Sequence, residues 1–178
     1  MASPSSVTIR PATAGDVPAL GRMAAQLVRM HHALDPQRFF IVEPIEEGYG
    51  RWLGREAGRD GALVLVAEQE GEVVGYAYAT MEGRDWMALR DACGALQDIW
   101  VEQKARRGGV ARALLEAVVA GLGERGAPRV VLSTAARNEG AQRFFDSMGF
   151  RRTMIEMTRE TEPAKSISSS SPGRSPER

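Results

Sequence analysis

The sequence is poor in several features that would each dictate a different kind of protein. It has one cysteine, Cys93, in 178 residues. A lone cysteine forms no internal disulfide, so the disulfide-framed scaffolds of small secreted domains are excluded and a cytoplasmic setting is expected. Both histidines, His31 and His32, lie far upstream of Cys93, so the thiol has no evident partner for nucleophilic catalysis. No apolar run approaches the ~20 residues of a membrane span. The opening MASPSSVTIR lacks the apolar centre of a signal peptide. There is no surplus of either charge, with 23 Lys plus Arg against 23 Asp plus Glu. Nucleic-acid-binding domains usually carry a basic excess, so no nucleic-acid partner is expected and any phosphate must be held by a local site. No metal site and no internal repeat are read from the chain.

What is present is ordinary globular composition, 43% hydrophobic and 26% charged. The length suits one domain, placed at residues 7–160. The tail at 161–178 contains SSSSPGRSPER, has almost no apolar side chains and is expected to be disordered.

Residues 7–10 read as a strand. Thr13-Ala14-Gly15-Asp16 has capping-box spacing, and Val17, Leu20, Ala24, Leu27 and His31 follow at helical intervals. Residues 45–59 read as a second helix with Tyr49, Trp52 and Leu53 on one face, although Gly48, Gly50 and Gly54 count against it. Two β-rich runs, 62–68 and 73–79, flank an acidic turn with Gly71 and form a hairpin. Residues 82–93 are polar and irregular, and 96–101 form a strand. Residues 110–122 form a long helix ended by Gly126 and Pro128, and 130–134 a strand. Residues 139–148 form a helix closed by Gly149, and 150–158 a final strand. This order predicts an α/β fold: a mixed central sheet, antiparallel in its N-terminal half, with helices on both faces. The strand at 96–101 and the strand at 130–134 are joined by a helical crossover, and ligands favour the carboxyl ends of such parallel strands.

The loop between them reads Glu102-Gln103-Lys104-Ala105-Arg106-Arg107-Gly108-Gly109-Val110-Ala111. Glycines at a helix start let backbone N–H groups approach an anion, and the helix dipole adds positive charge there. Lys104, Arg106 and Arg107 supply cations. The loop suits a pyrophosphate, yet it matches neither a Walker loop nor the G-x-G-x-x-G dinucleotide fingerprint. Without other information it could equally be a basic turn that caps a helix.

Arg106-Arg107-Gly108-Gly109-Val110-Ala111 fits the pattern Gln/Arg-x-x-Gly-x-Gly/Ala. About thirty residues on, Asn138-Glu139-Gly140-Ala141-Gln142-Arg143-Phe144-Phe145-Asp146-Ser147-Met148-Gly149-Phe150 fits a second block, Asn-x-x-Ala-x-x-aromatic pair ending in Gly-Phe. In both motifs and their spacing the chain resembles the GNAT superfamily of N-acetyltransferases over roughly residues 7–158. The resemblance implies acetyl transfer from acetyl-CoA to a primary amine by direct attack, the parallel strand pair forming the cofactor cleft. The backbone of Ile99, Trp100 and Val101 would pair with the pantetheine amides. Residues 106–111 would hold the pyrophosphate, and Asn138 would lie near the pantetheine arm, a role compatible with capping the helix that follows. An N–H at Trp100 or Val101 would polarise the thioester carbonyl.

The chain departs from the family at Phe145, where many members carry a tyrosine that protonates the departing thiol. Thiols are acidic enough to leave with little assistance. The departure also admits a second reading, a catalytically silent CoA-binding module. A general base is required, because an ammonium does not attack. Asp98 is the candidate, the alternative being a structural hydrogen bond to a neighbouring loop, with Arg84 or Arg90 as its partner. His31, His32, Tyr49, Trp52, Tyr78, Arg84, Asp85 and Trp86 are candidates to border the amine acceptor, which is a small molecule or a protein. The resemblance also implies a further strand after the Gly-Phe strand, but the chain turns polar soon after Thr158; a missing or partner-supplied further strand would make a homodimer plausible.

Overall fold

The computed structural model describes residues 7–161, so the Ser/Pro-rich tail lies outside the described residues except for Thr161. The strands are β1 (Thr8–Pro11), β2 (Ala62–Gln69), β3 (Glu72–Glu82), β4 (Cys93–Val101) and β5 (Val130–Leu132). The helices are α1 (Val17–Leu34), α2 (Ile45–Glu56), α3 (Val110–Glu124) and α4 (Glu139–Ser147). The sheet has five strands in the order β1-β2-β3-β4-β5. β1 to β4 pair antiparallel, and β4 pairs parallel with β5. Helices cover both faces, as the sequence pattern predicts.

On one face α1 and α2 bury Leu20, Met23, Ala24, Leu27 and Leu53 against Val64, Val66, Tyr76 and Tyr78. On the other, α3 buries Leu114, Leu115, Val118 and Leu122 against Leu63, Leu65, Ala77 and Leu96. The β2–β3 hairpin turns through Glu70 and Gly71, at φ 52° and 79°. Two successive left-handed residues match the twist of the flanking strands. At the start of α1, the Asp16 carboxylate accepts bonds from the Thr13 N–H and hydroxyl and from both Arg10 terminal nitrogens. Arg10 also pairs with Glu68. These contacts tie β1, β2 and α1 together and pull the Asp16 carboxyl down to about 2, chiefly through Arg10.

The glycines that argue against α2 have a packing role. A Cβ at Gly21 would lie 2.2 Å from the Glu46 carbonyl oxygen, and one at Gly50 only 2.9 Å from the Val17 carbonyl oxygen. The two helices therefore cross backbone against backbone, and neighbouring Tyr49 and Trp52 are set against the sheet.

The expected strand at 150–158 does not form. Residues 151–161 carry no strand pairing and are exposed, with Met154, Ile155 and Met157 each more than 80% accessible. Gly149, at φ 86°, closes α4 with the Phe150 N–H bonded to the Phe145 carbonyl. Phe150 then packs on the core beside Phe145. From Arg151 onward, Arg and Thr break the apolar alternation that would fasten a strand to β5, and Arg38 pairs with Glu156.

Gly21→Ala drives a methyl into backbone and is expected to cost about 3 kcal/mol, the upper end of overpacking. Gly48→Ala meets nothing within 4 Å and should stabilise by roughly 0.5–1 kcal/mol. Urea midpoints of the two variants check this, and equal shifts would refute the close crossing.

Candidate active site

The parallel pairing of β4 with β5 spans only Gly94–Val130, Ala95–Val131 and Leu96–Leu132. Beyond Leu96 the two strands separate. At that point the β3–β4 register slips: Tyr78 faces Asp98, yet Ala79 faces Leu96. Gln97 is thus an extra residue, a β-bulge. A bulge inverts the side-chain alternation beyond it. Gly94 and Leu96 face α3, but Asp98 and Trp100 face α1 and α2, while Ile99 and Val101 take the α3 side.

The backbone follows the same logic. The Glu102 N–H bonds to the Val74 carbonyl at 2.8 Å, which makes Gly75–Val101 a pair whose polar groups point away from each other. Ile99 and Val101 therefore turn their N–H and C=O toward the open edge. Trp100 turns its own toward β3, its carbonyl oxygen 2.9 Å from where a Gly75 Cβ would sit. Of the two backbone N–H groups expected at the thioester, the register gives Val101 the open edge and commits Trp100 to the sheet.

The loop that follows approaches this edge. Gly109 (φ 81°) and Arg107 (φ 68°) are left-handed. The first α3 amide with an intrahelical acceptor is that of Ala113, bonded to the Gly109 carbonyl. The preceding amides form the free N-terminal turn that suits an anion. Val110 is 2% exposed and anchors the loop in the core, with Ala111 packed beside it. Gly108 is exposed. Arg106 does not project freely: its Nε donates to the Val101 carbonyl at 3.0 Å, and its guanidinium lies 4.8 Å from the Trp100 ring centroid. Lys104 pairs with Glu72. Arg107 has no ion pair among the described residues. These groups fit a CoA thioester, with an unpaired strand edge for its amides and a cationic helix start for its phosphates.

On the α1/α2 side, Asp98 Oδ2 accepts hydrogen bonds from Tyr49 (2.9 Å) and Tyr76 (3.1 Å). Oδ1 takes none among the described residues. Burial pushes the Asp98 carboxyl up from its ordinary value, and the two phenol bonds pull it partly back. Burial, then the Asp98 charge, pushes both phenols up. Neither arginine weighed as a structural partner reaches Asp98, since Arg84 pairs with Asp91 and Arg90 with Glu82. The Tyr49 ring meets Trp52 edge-on at 5.2 Å, and Trp52 meets Tyr78 at 5.0 Å. Tyr78 donates to Glu56 at 2.6 Å, and burial pushes its phenol up to about 12. Tyr49 and Trp52 line a cleft of about 550 Å³ with Val28, Phe40, Val42 and Ile45.

The histidines, expected to border the acceptor, neither line this cleft nor reach Asp98. His31 stacks on Phe39 at 4.9 Å and lines a smaller cavity of about 120 Å³, and burial lowers its pKa. His32 Nδ1 donates to the Phe39 carbonyl at 2.7 Å. Trp86 is not brought to the site. It is 74% exposed at the tip of the β3–β4 hairpin, opposite the open edge, with Arg84 over its ring. Asp85 is spent on the same turn, accepting from the Met87 and Ala88 amides. Asn138 caps α4 by accepting from the Ala141 N–H, and its Nδ2 lies 4.0 Å from Met30 Sδ of α1. Phe145 is 7% exposed in the core. Tyr76 is the residue sequence reasoning missed; it alternates with Tyr78 along β3, a signal legible only once the register opposite Asp98 is known. Among the described residues, no group of His, Cys, Asp and Glu is placed to hold a metal. None of the helices there is long and apolar enough to cross a membrane.

A splayed parallel pair, a bulged strand and a glycine-started helix place the chain in a class of α/β folds with an open strand edge beside a helix amino end. The model of the acetyltransferase (GNAT) family matches residues 27–150, and the chain belongs to that family. No curated protein sequence matches the chain. A tetramutant of the BH1408 protein from Bacillus halodurans superposes with TM-score 0.76 at 22% identity, covering 86% of this chain and 99% of that one. The aminoglycoside N-acetyltransferase AAC(6')-Iy in complex with CoA gives TM-score 0.64 at 19% identity, over 89% and 97% of the two chains. AAC(6')-IG from Acinetobacter haemolyticus, an aminoglycoside 6'-N-acetyltransferase, gives 0.69 at 16%, over 88% and 99%. At these identities the likeness is one of fold.

Tyr49→Phe keeps the ring and removes one bond that favours ionised Asp98. The Asp98 titration, followed by carboxyl carbon NMR, is expected to move to higher pH. An unchanged midpoint would show that the phenol does not tune the carboxylate.

Proposed function

We propose that the protein transfers an acetyl group from acetyl-CoA to a primary amine by direct attack, with Asp98 as general base. One observation carries the reading: a half-buried carboxylate, held by two phenols through a single oxygen, stands behind Tyr49 of the cleft wall and directly before Ile99, the first residue of the open strand edge. Acetyl-CoA supplies an acyl group already activated as a thioester. The Ile99 and Val101 amides hold that arm along β4, and the Val101 N–H polarises the carbonyl. The α3 amino end and Arg107 hold the phosphates, while Arg106 braces β4 from the loop. The acceptor enters beside Tyr49 and Trp52. Asp98 takes one proton from the ammonium, the freed nitrogen attacks the thioester carbon, the C–S bond breaks with release of a thiolate, and the nitrogen's second proton passes to solvent or to that thiolate.

The family membership and the CoA-bound relative support the cofactor. The aminoglycoside acetyltransferases of similar fold support a small-molecule amine as acceptor over a protein. Phe145 supplies no proton, so thiolate departure relies on the low basicity of sulfur. The protein acts as an enzyme of the cytoplasm within a domain spanning 7–160.

Asp98→Asn keeps the shape and removes the base. Thiol release from acetyl-CoA in the presence of an accepted amine should fall about 10²–10⁴-fold in kcat, with acetyl-CoA affinity retained. Undiminished turnover would remove Asp98 from the chemistry. Binding of CoA with no turnover of any amine by the wild type would make the protein a silent binding module.

A further inference from the structure

The acceptor cleft differs chemically from one built for polycationic sugars. Its walls are Val28 of α1, Phe40 and Val42 of the connecting segment, and Ile45, Tyr49 and Trp52 of α2. Phe40 and Val42 are 82% and 68% exposed, so the lip is apolar as well as the floor. Trp52 is held edge-on between Tyr49 and Tyr78, which fixes a flat apolar wall beside Tyr49, the phenol bonded to Asp98. A cleft of about 550 Å³ admits a molecule of one or two rings.

The carboxylates around the cleft are already committed. Glu43, the acid on its lining, accepts from Arg29 and from the Ile45 N–H. Glu46 also accepts from Arg29, and Glu47 pairs with Arg51, the cation on the lining. Glu56 pairs with Arg59 and accepts from Tyr78. Among the described residues, Asp98 is the one carboxylate near the cleft that no cation neutralises. A ligand with several ammonium groups would need several such acids, each now spent on an arginine. A polyhydroxylated ring would meet hydrocarbon where its hydroxyls need partners. The cleft offers one charge and a broad apolar surface.

We propose that the acceptor is a small monoamine carried on an aromatic or otherwise apolar body, the ammonium directed to Asp98 and the body packed between Trp52, Ile45, Val28 and Val42. This rests on the acetyl transfer proposed above and adds to it the class of amine. It sets the protein apart from the aminoglycoside acetyltransferases whose fold it shares.

The test is thiol release with acetyl-CoA and four acceptors: 2-phenylethylamine, spermidine, kanamycin and a short peptide with a free leucine N-terminus. The expected result is a kcat/KM for 2-phenylethylamine at least tenfold above each of the others. Trp52→Ala should raise its KM about tenfold to a hundredfold while leaving the KM for acetyl-CoA unchanged. Val42→Glu alters an exposed position, so the fold is not at risk. It should lower the ratio of 2-phenylethylamine to spermidine turnover at least threefold by adding an uncommitted acid to the lip. Preference for kanamycin, spermidine or the peptide would overturn the amine class and leave acetyl transfer standing. Failure of every amine, with acetyl-CoA still bound, would overturn both.

Discussion

At Gln97, β4 carries one residue more than the strand it pairs with, and the arrangement of the site follows from that insertion. Before the bulge β4 is an ordinary central strand, paired with β3 on one side and β5 on the other. After it, β5 has departed and the alternation of side chains is reversed. Asp98 and Trp100 swing to the helix-pair face. Ile99 and Val101 keep their side chains in the core and leave their amides unpaired at the edge. A regular strand would put Asp98 into the hydrocarbon beneath α3, where a carboxylate could not stay charged. The same residue that opens the strand edge therefore aims the proposed base.

The second determinant is the crossing of α1 and α2. Gly21 and Gly50 let the helices touch through backbone, and this brings Tyr49 to 2.9 Å from Asp98. The chain beyond α1 is tied down by His31 and His32, both engaged with Phe39. Arg137 of the β5–α4 loop reaches the Leu34 carbonyl at the end of α1 at 2.9 Å. The proposed acceptor cleft and cofactor edge thus share a frame. The Asp98 carboxyl sits where burial raises its pKa and two phenols restrain the rise, a balance that suits a base working on an amine.

The fold was largely legible because its signals are local or periodic. Continuous β-rich runs around an acidic glycine turn mark β2 and β3, helical spacing marks α1 and α3, and Gly149 marks the end of α4. The two motifs around Arg106–Ala111 and Asn138–Phe150 pointed to the family, and the family model bears this out. What was not legible depends on contacts remote in sequence. The glycines of α2 looked like defects because the matching Gly21 lies in another helix. Trp86 looked like a contact residue because aromatics in irregular segments often are, but the hairpin carries it to the far end of the sheet. A strand at 150–158 was expected from its apolar residues, yet a strand needs a partner edge as well as a pattern, and none is engaged here. The roles of Tyr76 and Arg106 became visible only with the register of β3 on β4 and the path of the loop.

The account stands on the open edge of β4, and amide hydrogen exchange resolved by residue tests it most directly. In the free protein the Ile99 and Val101 amides should exchange quickly while Trp100, bonded to β3, exchanges slowly. Acetyl-CoA should slow Ile99 and Val101 strongly and leave Trp100 as it was. Ile99 and Val101 amides already as protected as Trp100, or unaffected by acetyl-CoA, would contradict the proposed binding edge.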